Sequence, residues 1–174
     1  MAVLHTDSWF ALQVAPKMEM RVVTALQGKN YEMLLPTYKE RRNWSDRIKL
    51  VEVPLFPGYV FCRLAERCIG RAIATPGVRK IVGFGGKPYP LEGHEITAIQ
   101  KIIESEVAAM PWPFVRVGER VRIGEGPLAG VIGVVTRVKN QERLIVSVEM
   151  LMRSVAVDID ALALTRTDAV GSMN

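Results

Sequence analysis

Apolar and polar positions alternate from Trp9 to Val14, which places Phe10, Leu12 and Val14 on one face of a strand and Trp9, Ala11 and Gln13 on the other. Pro16 then opens a helix, because Met18, Val22, Ala25 and Leu26 recur at helical spacing and Gly28 stands where a C-terminal cap belongs. Tyr31 to Pro36 is a second apolar strand, ended by its proline. The run Pro54-Leu55-Phe56-Pro57-Gly58-Tyr59-Val60-Phe61 demands a corner at Pro57-Gly58, followed by an extended segment to Leu64. On that strand Val60, Cys62 and Leu64 form the natural core side. Tyr59, Phe61 and Arg63 share the opposite face. Two aromatics and a guanidinium there fit a docking face, and a strand buried on both sides fits the same pattern.

Further along, Ile69, Ala72 and Ile73 mark a short helix stopped by Thr75-Pro76-Gly77, and Val78 to Phe84 is a strand closed by Gly85-Gly86. Residues 92–107 carry Ile96, Ile99, Ile103 and Val107 as one apolar helical stripe. The order βαββαβ plus a helix predicts a ferredoxin-like domain over 7–107, within an α+β fold class. Two prolines flank Trp112 in 108–115, which is expected to be a stiffened linker. From 116 to 168 the pattern is short and β-rich: Val117, Val121 and Ile123 lead to Gly126-Pro127, and strands follow over 131–138, 144–150 and 154–159. Several short strands with no helix predict a small closed barrel. The valine and isoleucine content of Val131 to Val157 disfavours any helical alternative, as does Gly133 in mid-run. Asn140-Gln141-Glu142 is expected to be a hairpin tip, and Ala169 to Asn174 a loose tail.

Charge changes the picture at one place. Between Lys39 and Lys49 five basic residues outweigh Glu40 and Asp46, a local +3, around a tip at Trp44-Ser45-Asp46. Such a hairpin can lay cations along phosphates and stack its indole on a base, or it can be a solvated face whose arginine stems cover the ring. A net charge of +5 and a pI near 9.4 favour a polyanionic partner. The start Met1-Ala2-Val3-Leu4-His5-Thr6-Asp7 lacks the basic and apolar runs of a signal peptide, and no apolar run approaches a membrane span; a cytoplasmic protein is expected. Cys62 and Cys68, without a nearby His or further Cys, read as buried small hydrophobes and not as a metal site. Phosphate-loop, nucleophile-elbow and metalloprotease patterns are absent, so neither catalysis nor a cofactor is expected. Gly83-Phe84-Gly85-Gly86 precedes Pro88 and Pro90 and reads as a tight turn.

Taken together, Trp9-Phe10, the LFPGYVF run, TPGV at 75–78, GFGG at 83–86 and VGERVRIGEGPLAGVIGVV at 117–135 resemble the NusG family of transcription elongation factors, across nearly the whole chain. The last segment is similar to a KOW motif, with Gly133 in the family's fixed position. The resemblance implies an N-terminal NGN domain and a C-terminal SH3-like KOW barrel, acting as a monomer. It implies that Trp9, Phe56, Tyr59, Phe61 and Phe84 meet the clamp helices of RNA polymerase. It places the same domain beside the non-template DNA strand, where charge and expected exposure select Lys17, Arg41, Arg42, Trp44, Arg47, Arg79 and Lys80. For the KOW barrel it implies contact with Rho or the ribosomal protein NusE through Leu128, Val131, Met150, Leu151 and Arg153. Gly58, Gly126, Pro127 and Gly133 are structural, as backbone requirements. Operon-specific paralogues of the RfaH or UpxY type and ribosome-associated KOW proteins are the competing classes. The place of the His-Thr-Thr run that RfaH uses for polar reading holds Cys68-Ile69-Gly70 here, which offers little hydrogen bonding.

Overall fold

A computed structural model describes residues 7–115, 120–138 and 141–159. Two compact units divide between Gly93 and His94. The first contains β1 (Ser8–Val14), α1 (Glu19–Gln27), β2 (Glu32–Leu34), β3 (Thr37–Asn43), β4 (Ile48–Pro54), β5 (Tyr59–Leu64), α2 (Ile69–Ile73), β6 (Val78–Ile81), β7 (Gly83–Phe84) and β8 (Lys87–Pro88). Its main sheet runs β2-β5-β1-β6, and every neighbouring pair is antiparallel. This is the strand order of the ferredoxin-like layout, with the β3–β4 ribbon and the small β7–β8 hairpin added.

Alternation along β1 and β5 decides the core. Phe10, Leu12 and Val14 join Val60, Cys62 and Leu64, and the helices cover them with Val22, Val23, Leu26 and Ala72. Helix α1 starts at Glu19 and not at Pro16, since Pro16 and Lys17 form a turn and Lys17 has φ +62. Gly28 caps it in right-handed geometry, and Asn30 carries the positive φ instead. The single strand expected over 78–84 is two. Gly83 lies so close to the backbone of Lys87 that no side chain fits, and the chain folds back there as β7 and β8.

The second unit contains the rest of α3 (Gly93–Ser105), β9 (Ala109–Pro113), β10 (Arg120–Arg122), β11 (Ile132–Val138), β12 (Gln141–Val148) and β13 (Arg153–Asp158). The strands follow the order β10-β11-β12-β13-β9, the antiparallel sheet of the small barrel. Two expectations need correction. Residues 108–115 are not a free linker, because Ala109 to Pro113 pair with β13 from Val157 to Arg153. Prolines 111 and 113 are tolerated because β9 is an edge strand. Helix α3, expected in the first domain, instead groups with the barrel, where its buried Glu95 accepts the Glu149 N–H at 2.9 Å and Lys101 donates to the Ala129 carbonyl. Its buried set is Glu95, Ile96, Ala98, Ile99 and Ile102, whereas Ile103 is partly exposed. The tip expected at 140–142 and the tail at 169–174 fall wholly or partly outside the described residues.

Candidate functional site

The corner before β5 is held by hydrogen bonds on both sides of Gly58. Its N–H donates to Glu19 Oε1 at 3.0 Å, its carbonyl accepts the Val14 N–H at 2.8 Å, and the Tyr59 N–H closes the turn onto the Phe56 carbonyl at 3.0 Å. Gly58 has φ +83, a conformation that other residues adopt only with strain. Around this corner the five aromatics expected at a docking face divide. Phe61 is 0 % exposed and meets Phe56 edge to face, with ring centroids 5.4 Å apart and Phe56 equally buried. Both are core residues here, so of the two readings open for this face β5 is buried on both sides at Phe61, which corrects the expectation that Phe56 and Phe61 themselves meet a partner. Trp9 and Tyr59 are half-buried. They lie on the same sheet face, Trp9 beside Arg63 and Tyr59 beside Gln13, four residues apart along β1 or roughly 13 Å. Phe84 is 80 % exposed on the β7–β8 hairpin, whose turn glycines Gly85 and Gly86 both have positive φ. Exposed Tyr89, not anticipated, stands close by in sequence.

The basic candidates fall in three places. Lys17 is exposed in the turn before α1, and Arg79 and Lys80 are exposed on the edge strand β6. Lys80 pairs with Gln13, which pairs with Tyr59, so a cation, an amide and a phenol form one row across the sheet. Arg79 occupies the irregularity where the register shifts. The remaining candidates are on the β3–β4 ribbon. Its tip is closed by reciprocal hydrogen bonds between Trp44 and Arg47, as the hairpin reading predicts. All residues from Arg41 to Leu50 are exposed, Trp44 to 55 %. Lys49 lies over the Trp44 ring at 5.6 Å, and Arg42 pairs with Glu40 at 2.8 Å. At such exposure these contacts hold geometry but add little stability.

In the barrel, Leu128, Val131 and Leu151 are buried and belong to its core, which corrects their reading as contact residues. Met150 is half-buried and Arg153 exposed. Met152, not singled out from sequence, is 58 % exposed with φ +50 between Leu151 and Arg153. The signal was the polar and apolar mixture Glu149-Met150-Leu151-Met152-Arg153, too short to show a period. Gly126 has φ +82 and, with Pro127, forms the exposed turn. Gly133 is required for close approach, since a Cβ there would lie 2.5 Å from the Ile145 carbonyl oxygen. Burial pushes the Cys62 thiol up to about 12, which leaves it unreactive at neutral pH.

Comparisons with known proteins agree with this arrangement. The model of the family described as transcription termination factor NusG matches residues 7–100. The transcription termination/antitermination protein NusG of Halalkalibacterium halodurans is 28% identical over 165 residues, covering 91% of this chain and 93% of its own. That of Campylobacter jejuni is 28% identical, covering 90% and 95%. A solved structure of Thermotoga maritima NusG, titled for its domain interaction, has a TM-score of 0.56 at 22% identity and covers 93% of this chain and 98% of its own. The ferredoxin-like sheet, the glycine-dependent corner and a family match over more than half the chain agree: it belongs to the NusG family of transcription termination and antitermination factors.

Proposed function

We propose that this chain binds the clamp helices of RNA polymerase through Trp9, Tyr59 and Phe84, with Phe56 and Phe61 supporting the corner from beneath. Lys17, Arg42, Trp44, Arg47, Arg79 and Lys80 then follow the non-template DNA strand beside the clamp. The barrel offers Met150 and Arg153, with Leu128, Val131 and Leu151 shaping the loops behind them, to Rho or to NusE. The function is mechanical and needs no catalysis. A protein that contacts the clamp and the far side of the DNA cleft binds the closed polymerase better than the open one, and that difference in affinity shifts the population away from paused states.

The observation that carries the reading is the β3–β4 ribbon: five cations between Lys39 and Lys49, all exposed, with an exposed indole at the tip. Replacing Arg42 and Arg47 together by Ala should weaken binding to a transcription bubble and flatten its salt dependence, because each lost phosphate contact lowers the log–log slope by about 0.7 to 0.9. Binding to reconstituted elongation complexes across a salt series measures this. An unchanged slope would mean that the ribbon is solvated and not engaged with DNA.

A further inference from the structure

The register of the ribbon divides its residues between two faces. Arg41 pairs with Leu50, Asn43 with Ile48 and Lys39 with Glu52, so these six share one face. Arg42 pairs with Lys49, Glu40 with Val51 and Tyr38 with Val53 on the other. The second face gathers its exposed cations around the indole and leaves its aliphatics half-buried. Arg42 is paired with Glu40, Lys49 covers Trp44, and Tyr38, Val51 and Val53 are half-buried at the base. On the first face Ile48 is 63 % and Leu50 60 % exposed, and among the described residues Arg41 and Lys39 make no ion pair. Two neighbouring branched aliphatics left this exposed beside a free guanidinium are unusual for a surface that meets only water.

We propose that the face carrying Arg41, Ile48 and Leu50 docks on an acidic, apolar-centred protein surface of the transcription complex, while Arg42, Trp44 and Lys49 on the other face and Arg47 at the tip meet the DNA. This rests on the reading that the chain binds transcribing polymerase. Charge and shape select the occupant. Phosphates would satisfy Arg41 but give Ile48 and Leu50 no apolar cover. A second copy seated on the same face would meet only alternate residues of two short strands, too little surface for the roughly 1,200 Å² of a specific dimer. A protein surface with a carboxylate beside an apolar patch satisfies both the guanidinium and the aliphatics. Its small area suffices because the rest of the chain is already anchored, which makes this second contact intramolecular.

Site-specific photocrosslinking tests the assignment with the full chain, core RNA polymerase and a labelled nucleic-acid scaffold. A benzoylphenylalanine in place of Leu50 should crosslink to a polymerase subunit, with the yield lost on adding Arg41→Glu. The same group in place of Arg42 should crosslink to DNA. If complexes co-sediment with the chain but position 50 crosslinks to DNA, to a second copy or to nothing, the proposal is overturned while the polymerase reading stands. Failure of the unmodified chain to co-sediment would overturn that reading and this proposal with it.

Discussion

Replacing Glu19 tests whether one buried carboxylate sets the corner that presents Tyr59. Glu19 lies in the first turn of α1, is nearly inaccessible, and spends Oε1 on the N–H of Gly58, 39 residues away. Glu19→Ala removes a hydrogen bond to a charged acceptor, about 1.5–3 kcal/mol, and orphans the Gly58 amide in a turn otherwise held by the Val14 and Tyr59 N–H bonds. It also removes a carboxylate from a helix N-terminus, ~0.3–1 kcal/mol, while alanine's better helix propensity returns only a few tenths of a kcal/mol. The net loss is about 2 kcal/mol, which for a unit of this size lowers the melting temperature by roughly 10 °C. Glu19→Gln keeps an acceptor at the same place and should recover much of the difference. Thermal unfolding measures the stability, and hydrogen exchange at Gly58 reports the bond itself: its amide should exchange faster in Glu19→Ala and remain protected in Glu19→Gln. If Ala is as stable as the parent, or if Gln is no better than Ala, the carboxylate does not hold the corner.

Phe61→Ala should cost about 3–5 kcal/mol because it empties a fully buried site, whereas half-buried Tyr59→Ala should lose less stability and weaken polymerase binding; equal melting temperatures for the two variants would contradict the burial division. Gly133→Ala should lower barrel stability by at least ~1–3 kcal/mol, since the new methyl group meets backbone at 2.5 Å, while Gly126→Ala, with nothing within 4 Å but φ +82, should cost ~1 kcal/mol; denaturant titration ranks them, and the reverse order would refute the close-approach argument. Iodoacetamide at pH 8 should modify Cys68 and spare Cys62 in the folded chain, with both modified in urea, as mass spectrometry of tryptic peptides can show. The Cys62 thiol titrates near 12 when folded against 9.0 ordinarily, so its contribution to stability is complete below pH 9 and lost as the pH rises toward 12; greater alkaline stability would reverse the sign.

Much of the fold was legible because a local period reports it directly. Phe10, Leu12 and Val14 on β1 and Val60, Cys62 and Leu64 on β5 alternate as a one-sided core requires, and the element order then leaves few ways to arrange four antiparallel strands. The corner was legible because proline and glycine restrict the backbone itself, and Gly58 adopts the positive φ that such a turn needs. Gly133 was legible only as a requirement, since a short run of alternating residues does not reveal how near Ile145 and Leu144 come.

Alternation assigns residues to a common face but does not tell what lies over it. Tyr59, Phe61 and Arg63 share one face of β5, yet along three alternate positions the environment runs from half-buried to fully buried to exposed. The same limit explains Arg41 and Arg42. Adjacent in sequence and equal in charge, they look like one patch; alternation along β3 puts them on opposite faces, and the pairing of β3 with β4 shows that Arg41 shares its face with Ile48 and Leu50 and Arg42 with Lys49. Polar anchors were invisible for a related reason: Glu19 and Glu95 occupy helix positions where a glutamate usually meets water, and nothing local marks Gly58 or Glu149 as a partner. A binding surface in this family is therefore better sought in the register that decides which cations and aliphatics share a face than in the count of charges along the chain.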